Sequence, residues 1–151
     1  MLNIPIDFKE FIALLNESSV RYLIVGGYAV AFHGLPRSTG DMDFLLDRSI
    51  ENARLVVQCL QDFGFNGLGI STDELTSQDR IIQIGYPPLR IDLLTSIDGV
   101  GFDEAWKDKV ETEVDGITVR LISRAHLIRN KRISGRMQDK ADVERLGADE
   151  P

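Results

Sequence analysis

The sequence predicts a mixed α/β (α+β) domain in which a mixed β-sheet is flanked by helices, with further helices at the C-terminal end. Three observations carry this. Apolar runs of strand length, such as RYLIVGG and DFLLD, alternate with stretches of helical periodicity. Two pairs of strand-like runs are joined by turn residues, so hairpins exclude an all-parallel sheet. The 151 residues, 43% of them apolar, suit one core of ordinary size.

Taken in order, Asp7 reads as the cap of a helix carrying Phe8, Phe11, Ile12, Leu14 and Leu15 on one side, with Glu10 as capping-box partner. RYLIVGG is a buried strand ending in Gly26 and Gly27, and YAVAFHG continues as a helix. LPRSTGD is loop chemistry and DFLLD a short strand. SIENARLVVQCLQDFG is then a helix with Ile50, Ala53, Val56, Val57, Leu60 and Phe63 inward and Gly64 as its C-cap. A glycine-rich passage, GFNGLGIST, leads to the strands RIIQIGY and RIDLLT, which form a hairpin through Tyr86, Pro87 and Pro88. Phe102 to Lys107 is a short helix, and VETEV and ITVRLI pair about Asp115-Gly116, a type I′ signal. Ser123 caps RAHLIRNKRI, Gly135 ends it, and RMQDKADVERLG is the last helix. No repeat or linker intervenes, so a single domain over 1–151 is expected, with a core at about 7–122 and a helical cap at about 123–147.

Composition excludes several classes of function. One cysteine permits no intramolecular disulfide, and with two histidines a metal site would have to be built from carboxylates. No apolar run approaches bilayer length and the first residues lack a signal-peptide pattern, so a cytoplasmic location is expected. The net charge of −7 argues against a long nucleic-acid footprint. Its distribution is uneven: residues 1–119 hold 9 Lys/Arg against 19 Asp/Glu, a balance of −10, whereas residues 120–151 hold 8 against 5, a balance of +3.

Acidic residues within apolar strands demand an explanation. Asp41 and Asp43 are two apart and so share one face of an extended strand, and Asp92 lies in another apolar strand. Three carboxylates converging on one sheet face repel unless a cation joins them, and Mg²⁺ suits such an oxygen cage while sharing its remaining positions with phosphates. Gly26 and Gly27 end a strand and open a helix, so their amides can meet an anion that side chains would otherwise keep away. Carboxylates for metal and amides for phosphate together describe a nucleoside-triphosphate site. Taken alone, Asp92 reads as the ion-pair partner of Arg90 or Arg80. His33 and His126 read as packed or capping side chains, Cys59 as a small apolar residue, and Phe102 and Trp106 as the core of their short helix. Arg136, Asp139 and Lys140 read as ion pairs holding the last helix. A dinucleotide-binding sheet is excluded, because GGYAVAFHG lacks G-x-G-x-x-G and hairpins follow where crossovers are needed.

The texts LIVGGYAVAFHGLPRSTGDMDFLL, RIDLLTSIDGVGFDEAW and LIRNKRISGRMQDKADVERL, in that order and spacing from Arg21 to Leu146, resemble the polymerase-beta-type nucleotidyltransferase superfamily and its small bacterial AbiEii-like branch. The resemblance implies the nucleotidyltransferase fold and transfer of NMP from an NTP to an acceptor hydroxyl, with release of pyrophosphate. Two Mg²⁺ ions, with Mn²⁺ as a substitute, would be held by Asp41, Asp43 and Asp92, and Asp92 would also help to activate the acceptor. Gly26 and Gly27 would cradle the triphosphate, with Gly27 standing where many active members have serine. Lys131, on the helix that in similar proteins supplies a phosphate-facing cation, and Arg37, in the loop before Asp41, would meet the phosphates. The implied partners are an NTP, an acceptor that is RNA, protein or small molecule, and a homodimer or cognate partner protein. The alternative implied is a non-catalytic nucleotide-binding module, such as the antitoxin-like partner of a toxin–antitoxin pair.

Overall fold

The computed structural model describes residues 2–35, 40–65, 68–86 and 89–147. Six strands form one sheet: β1 (Tyr22–Val25), β2 (Asp41–Leu46), β3 (Ile81–Tyr86), β4 (Leu89–Leu94), β5 (Val110–Val114) and β6 (Ile117–Leu121), in the order β3-β4-β2-β1-β6-β5. The pairs β2/β4 and β1/β6 are parallel and the other three antiparallel. The strands β3/β4 and β5/β6 pair antiparallel as expected; Pro87 and Pro88 of the first turn lie outside the described residues, and Asp115 and Gly116 take the positive φ values, 52° and 81°, that a type I′ turn requires.

The helices are α1 (Ile6–Glu17), α2 (Gly26–Phe32), α3 (Ile50–Asp62), α4 (Thr72–Thr76), α5 (Phe102–Lys107), α6 (Arg124–Ser134) and α7 (Met137–Arg145). Three features differ from the sequence-based expectation. Helix α1 starts earlier, with Pro5 at the N-cap and no side-chain cap, and Asp7 lies inside the first turn. Proline needs no N–H partner and presets the entry, so Asp7 is not required as a cap. Helix α3 turns Asn52 and Cys59 inward while Ile50 is 41% exposed. Asn52 is satisfied there because its side chain accepts from Arg21 N (2.8 Å) and donates to Arg21 O (3.1 Å) and Asp47 O (2.7 Å), tying α3 to the end of the β1/β2 pair where β1 begins and β2 ends. Helix α4 follows the glycine-rich passage, in a stretch before β3 where no element is expected, and is held by a Ser71/Glu74 capping box with Leu75 buried beneath it.

Both faces of the central strands carry buried residues, Leu23 and Leu45 lying on the face of Asp43 and Met42 and Phe44 on the other. Met42 and Phe44 are fully buried, and Phe11 of α1 meets Phe44 and Phe63 edge-on at centroid distances of 5.4 and 5.3 Å. The alternate residues of β2, Asp41 and Asp43, therefore point away from that core. Ser123 caps α6 by accepting from His126 N, Gly135 ends the helix in the left-handed region, and α7 folds back against α6. No described helix is long and apolar enough to cross a membrane.

Candidate functional site

The strand register builds the site. Val25 of β1, Asp43 of β2, Asp92 of β4 and Gln83 of β3 are register partners, forming one row across four strands. Two rows along, on the same face, Asp41 pairs with Arg90. Gly26 follows Val25 directly, so the turn from β1 into α2 lies beside Asp43. A Cβ on Gly26 would stand 2.9 Å from the Cγ of Asp43 and nearer still to its Oδ2. Gly26 also has φ +67°, a conformation that side chains disfavour. Val25, the N-cap of α2, offers no side-chain acceptor to the first-turn amides.

Opposed carboxylates on neighbouring strands are unfavourable unless something offsets their repulsion. Burial, a hydrogen bond with Asp92 and the charges of Asp92 and Asp41 push the Asp43 carboxyl up to about 7, against a smaller downward pull from Arg90. Arg90 supplies the offset for the other two acids: its Nη2 donates to Asp41 Oδ2 (2.9 Å) and Asp92 Oδ2 (3.2 Å), and its Nε to Asp92 Oδ1 (2.9 Å). The ion pair of Arg90 with Asp92 is the partnership that Asp92 taken alone suggests. As placed, no group of three or more His, Cys, Asp or Glu side chains among the described residues is gathered to hold a metal ion. The donor chemistry of Asp41, Asp43 and Asp92 still fits a hard divalent cation. All three offer carboxylate oxygens from one sheet face, a cationic group already bridges two of them, and the third is raised by burial and, beyond that, by its neighbours' charges, which a cation would offset. Binding would require Arg90 to yield its place.

A cavity of about 640 Å³ opens in front of this row, lined by Gly26, Asp43 and Asp92 on the sheet side and by Lys131, Ser134, Arg136 and Asp139 on the α6/α7 side. Lys131 reaches it, but the Nζ pairs with Asp139 Oδ1 at 3.1 Å and Asp142 Oδ2 at 3.0 Å, and all three side chains are buried. Its charge is therefore committed to a buried cluster, a placement that weakens its expected phosphate role. Burial would raise the Asp139 carboxyl, but bonds from Ser134, Arg136 and Lys131 outweigh it and hold it down at about 2. Arg136 is the other basic side chain on this wall. It is anchored through Nε to Asp139 Oδ2 (2.8 Å) with 79% of its side chain exposed, and its charge is further favoured by Asp98 and Asp43.

The structure thus brings Gly26, Asp43, Asp92 and Lys131 to one cavity and keeps Asp41 beside them through Arg90. Gly27 is not a lining residue of that cavity and lies within α2 without the positive φ of Gly26. Arg37 lies outside the described residues. Arg90 was expected only as an ion-pair partner and Arg136 only as a helix-holding one, and both stand at the site. Asp79 and Ser96 also line the cavity, and the Ser96 hydroxyl donates to Asp79 at 2.7 Å while accepting from Asp79 N at 3.0 Å. Nothing in the local sequence marks these two, because strand pairing across β3 and β4 is what brings them together. His33 is hydrogen-bonded to Ile122 O across the fold, and His126 to Ser123, the cap of its own helix.

No protein-family model and no curated protein matches the sequence. Solved structures do match in fold. A protein from Thermotoga maritima, provisionally described as a nucleotidyltransferase, aligns over 95% of this chain and 91% of its own at 16% identity, with a TM-score of 0.59. An antigenic nucleotidyltransferase-like protein from Paracoccidioides brasiliensis aligns over 93% and 72% at 17% identity, with a TM-score of 0.56. The lincosamide antibiotic adenylyltransferase LnuA, solved with lincomycin bound, aligns over 98% and 99% at 17% identity, with a TM-score of 0.54. The chain has the nucleotidyltransferase fold.

Proposed function

We propose that the protein transfers a nucleoside monophosphate from an NTP to an acceptor hydroxyl, with the bond from the α-phosphorus to the bridging oxygen breaking and pyrophosphate leaving. The observation that carries this reading is the Asp43/Asp92 register pair set against the Gly26 turn. It joins opposed carboxylates to a close backbone approach in one cavity. Asp41, Asp43 and Asp92 would hold Mg²⁺, or Mn²⁺ in its place. When bound, the metal supplies charge neutralisation of the triphosphate and a lowered pKa for the attacking hydroxyl. Asp92 accepts the proton of that hydroxyl or orients it. Gly26 and Gly27 leave room for phosphate oxygens beside the first-turn amides of α2. Arg136 offers a guanidinium to the leaving pyrophosphate from the opposite wall, and Lys131 acts through Asp139, which anchors Arg136.

The acceptor is RNA, protein or a small molecule. The near-complete mutual coverage with LnuA supports a small molecule, because that fold, at this size, is associated there with an antibiotic acceptor. Incubation with each α-labelled NTP, Mg²⁺ or Mn²⁺, and RNA, protein and small-molecule fractions of a cell extract tests the reading. Label should pass to one fraction, and Asp43→Asn and Asp92→Asn should pass none.

A second reading, a nucleotide-binding interaction module such as an antitoxin-like partner, is favoured by the ion pairs that hold Arg90 on Asp41 and Asp92 and Lys131 on Asp139 and Asp142. A stable complex with a cognate protein, and no labelled product with any NTP, would select it.

A further inference from the structure

We propose that Arg90 is the internal counter-cation of the carboxylate site, competing with a divalent ion for Asp41 and Asp92 and so setting which form of metal the site accepts. This rests on the reading of those carboxylates as metal-binding. One nitrogen, Nη2, donates to both Asp41 (2.9 Å) and Asp92 (3.2 Å), so the guanidinium stands between two groups that would have to share an ion. The register places it there, since Arg90 is paired with Asp41 and lies two residues from Asp92 on the same face. Arginine does not lose its proton in this pH range, so a divalent ion and the guanidinium repel and cannot share those oxygens. Arg90 has a way out, with 26% of its side chain exposed, whereas Lys131 and its two acids are held at 8%, 4% and 0%. The site therefore yields at Arg90 and not in the α6/α7 cluster.

The consequence is selectivity. A bare divalent ion must displace a bidentate guanidinium and leave it without a partner. A metal–triphosphate complex brings anionic oxygens that take the guanidinium over, so the exchange is close to neutral. Arg90 thus disfavours free metal and favours metal arriving with a nucleotide.

The test is Mn²⁺ binding to the full chain, read from the electron paramagnetic resonance of free Mn²⁺ without nucleotide. Arg90→Gln should bind Mn²⁺ about 10-fold more tightly than the wild type, Arg90→Lys should lie between, and Asp43→Asn added to Arg90→Gln should abolish the gain. Equal or weaker binding by Arg90→Gln would overturn the proposal and leave Arg90 as a prop that positions the acids. If neither the wild type with NTP nor Arg90→Gln binds Mn²⁺, the metal reading itself fails, and the proposal with it. Should the variants not fold, the wild type carries the test. The Arg90 Nε–H, bonded to Asp92, should exchange with solvent faster by NMR when Mg²⁺ is added to saturation without nucleotide. Unchanged exchange on saturation would overturn the proposal.

Discussion

Gly26 and Asp43 occupy the same space to within a side chain: the carboxyl group of Asp43 stands where the Cβ of any residue but glycine at position 26 would go. Gly26→Ala therefore meets two penalties, the left-handed φ of +67° and the collision with Asp43. A loss of about 2 kcal/mol or more by urea denaturation is expected, with nucleotide binding reduced. Gly27 is in ordinary helical conformation, so Gly27→Ser should change stability by about 0.5 kcal/mol or less. Equal losses at both positions would show that the pair acts only as a flexible hinge.

The raised Asp43 carboxyl makes stability fall with pH. Its folded value, about 7, lies above the unfolded value of 3.8, so between those limits the folded state binds more protons than the unfolded state. The contribution of this group is favourable at low pH and lost as pH rises through 7. Asp43→Asn should remove that slope and stabilise the metal-free protein at pH 8 by about 2 kcal/mol. Thermal midpoints of both proteins from pH 5 to 8 test this. Metal binding should run the opposite way, strengthening as pH rises through 7, and wild-type Mn²⁺ affinity measured across the same range checks it.

Lys131 and Arg136 line one cavity with different duties. Lys131→Met would remove the buried cation that Asp139 and Asp142 share, leaving Asp139 with Arg136 and Ser134 and Asp142 with Gln138, and a loss of about 3 kcal/mol is expected in urea. Because Asp139 is held at about 2, its share of stability is fully present above 3.8 and lost as pH falls through 2. Arg136→Ala leaves Asp139 its bonds to Lys131 and Ser134, so it should cost about 1 kcal/mol or less. The same change should weaken binding of inorganic tripolyphosphate about 10-fold. A large stability loss with unaltered tripolyphosphate binding would make Arg136 structural.

The three acids and Gly26 are legible as candidates because their signal is local, charge in an apolar strand and a glycine between a strand and a helix, whereas Gly27 carries the same signal and does not line the cavity. The pairing of Asp43 with Asp92 was not legible, since it depends on β2 and β4 being parallel neighbours although β3 lies between them in the chain. Ion-pair geometry was legible only in part. Lys131 is basic and lies on the expected helix, yet Asp139 and Asp142, one turn apart on α7, draw its charge inward. Arg90 was visible as a partner of Asp92, but the bridge to Asp41 requires the register. Helix α4 could have been found from Ser71-x-x-Glu74, a capping-box spacing obscured by the glycines before it.

Asp43 and Asp92 are proposed to hold a metal–nucleotide complex at the Gly26 turn. Isothermal titration of a non-hydrolysable NTP analogue with Mg²⁺ into the wild type, Asp43→Asn and Asp92→Asn measures this. The wild type should bind, and each variant should lose at least about 10-fold in affinity while remaining folded by circular dichroism. Wild-type affinity in both variants would contradict the claim.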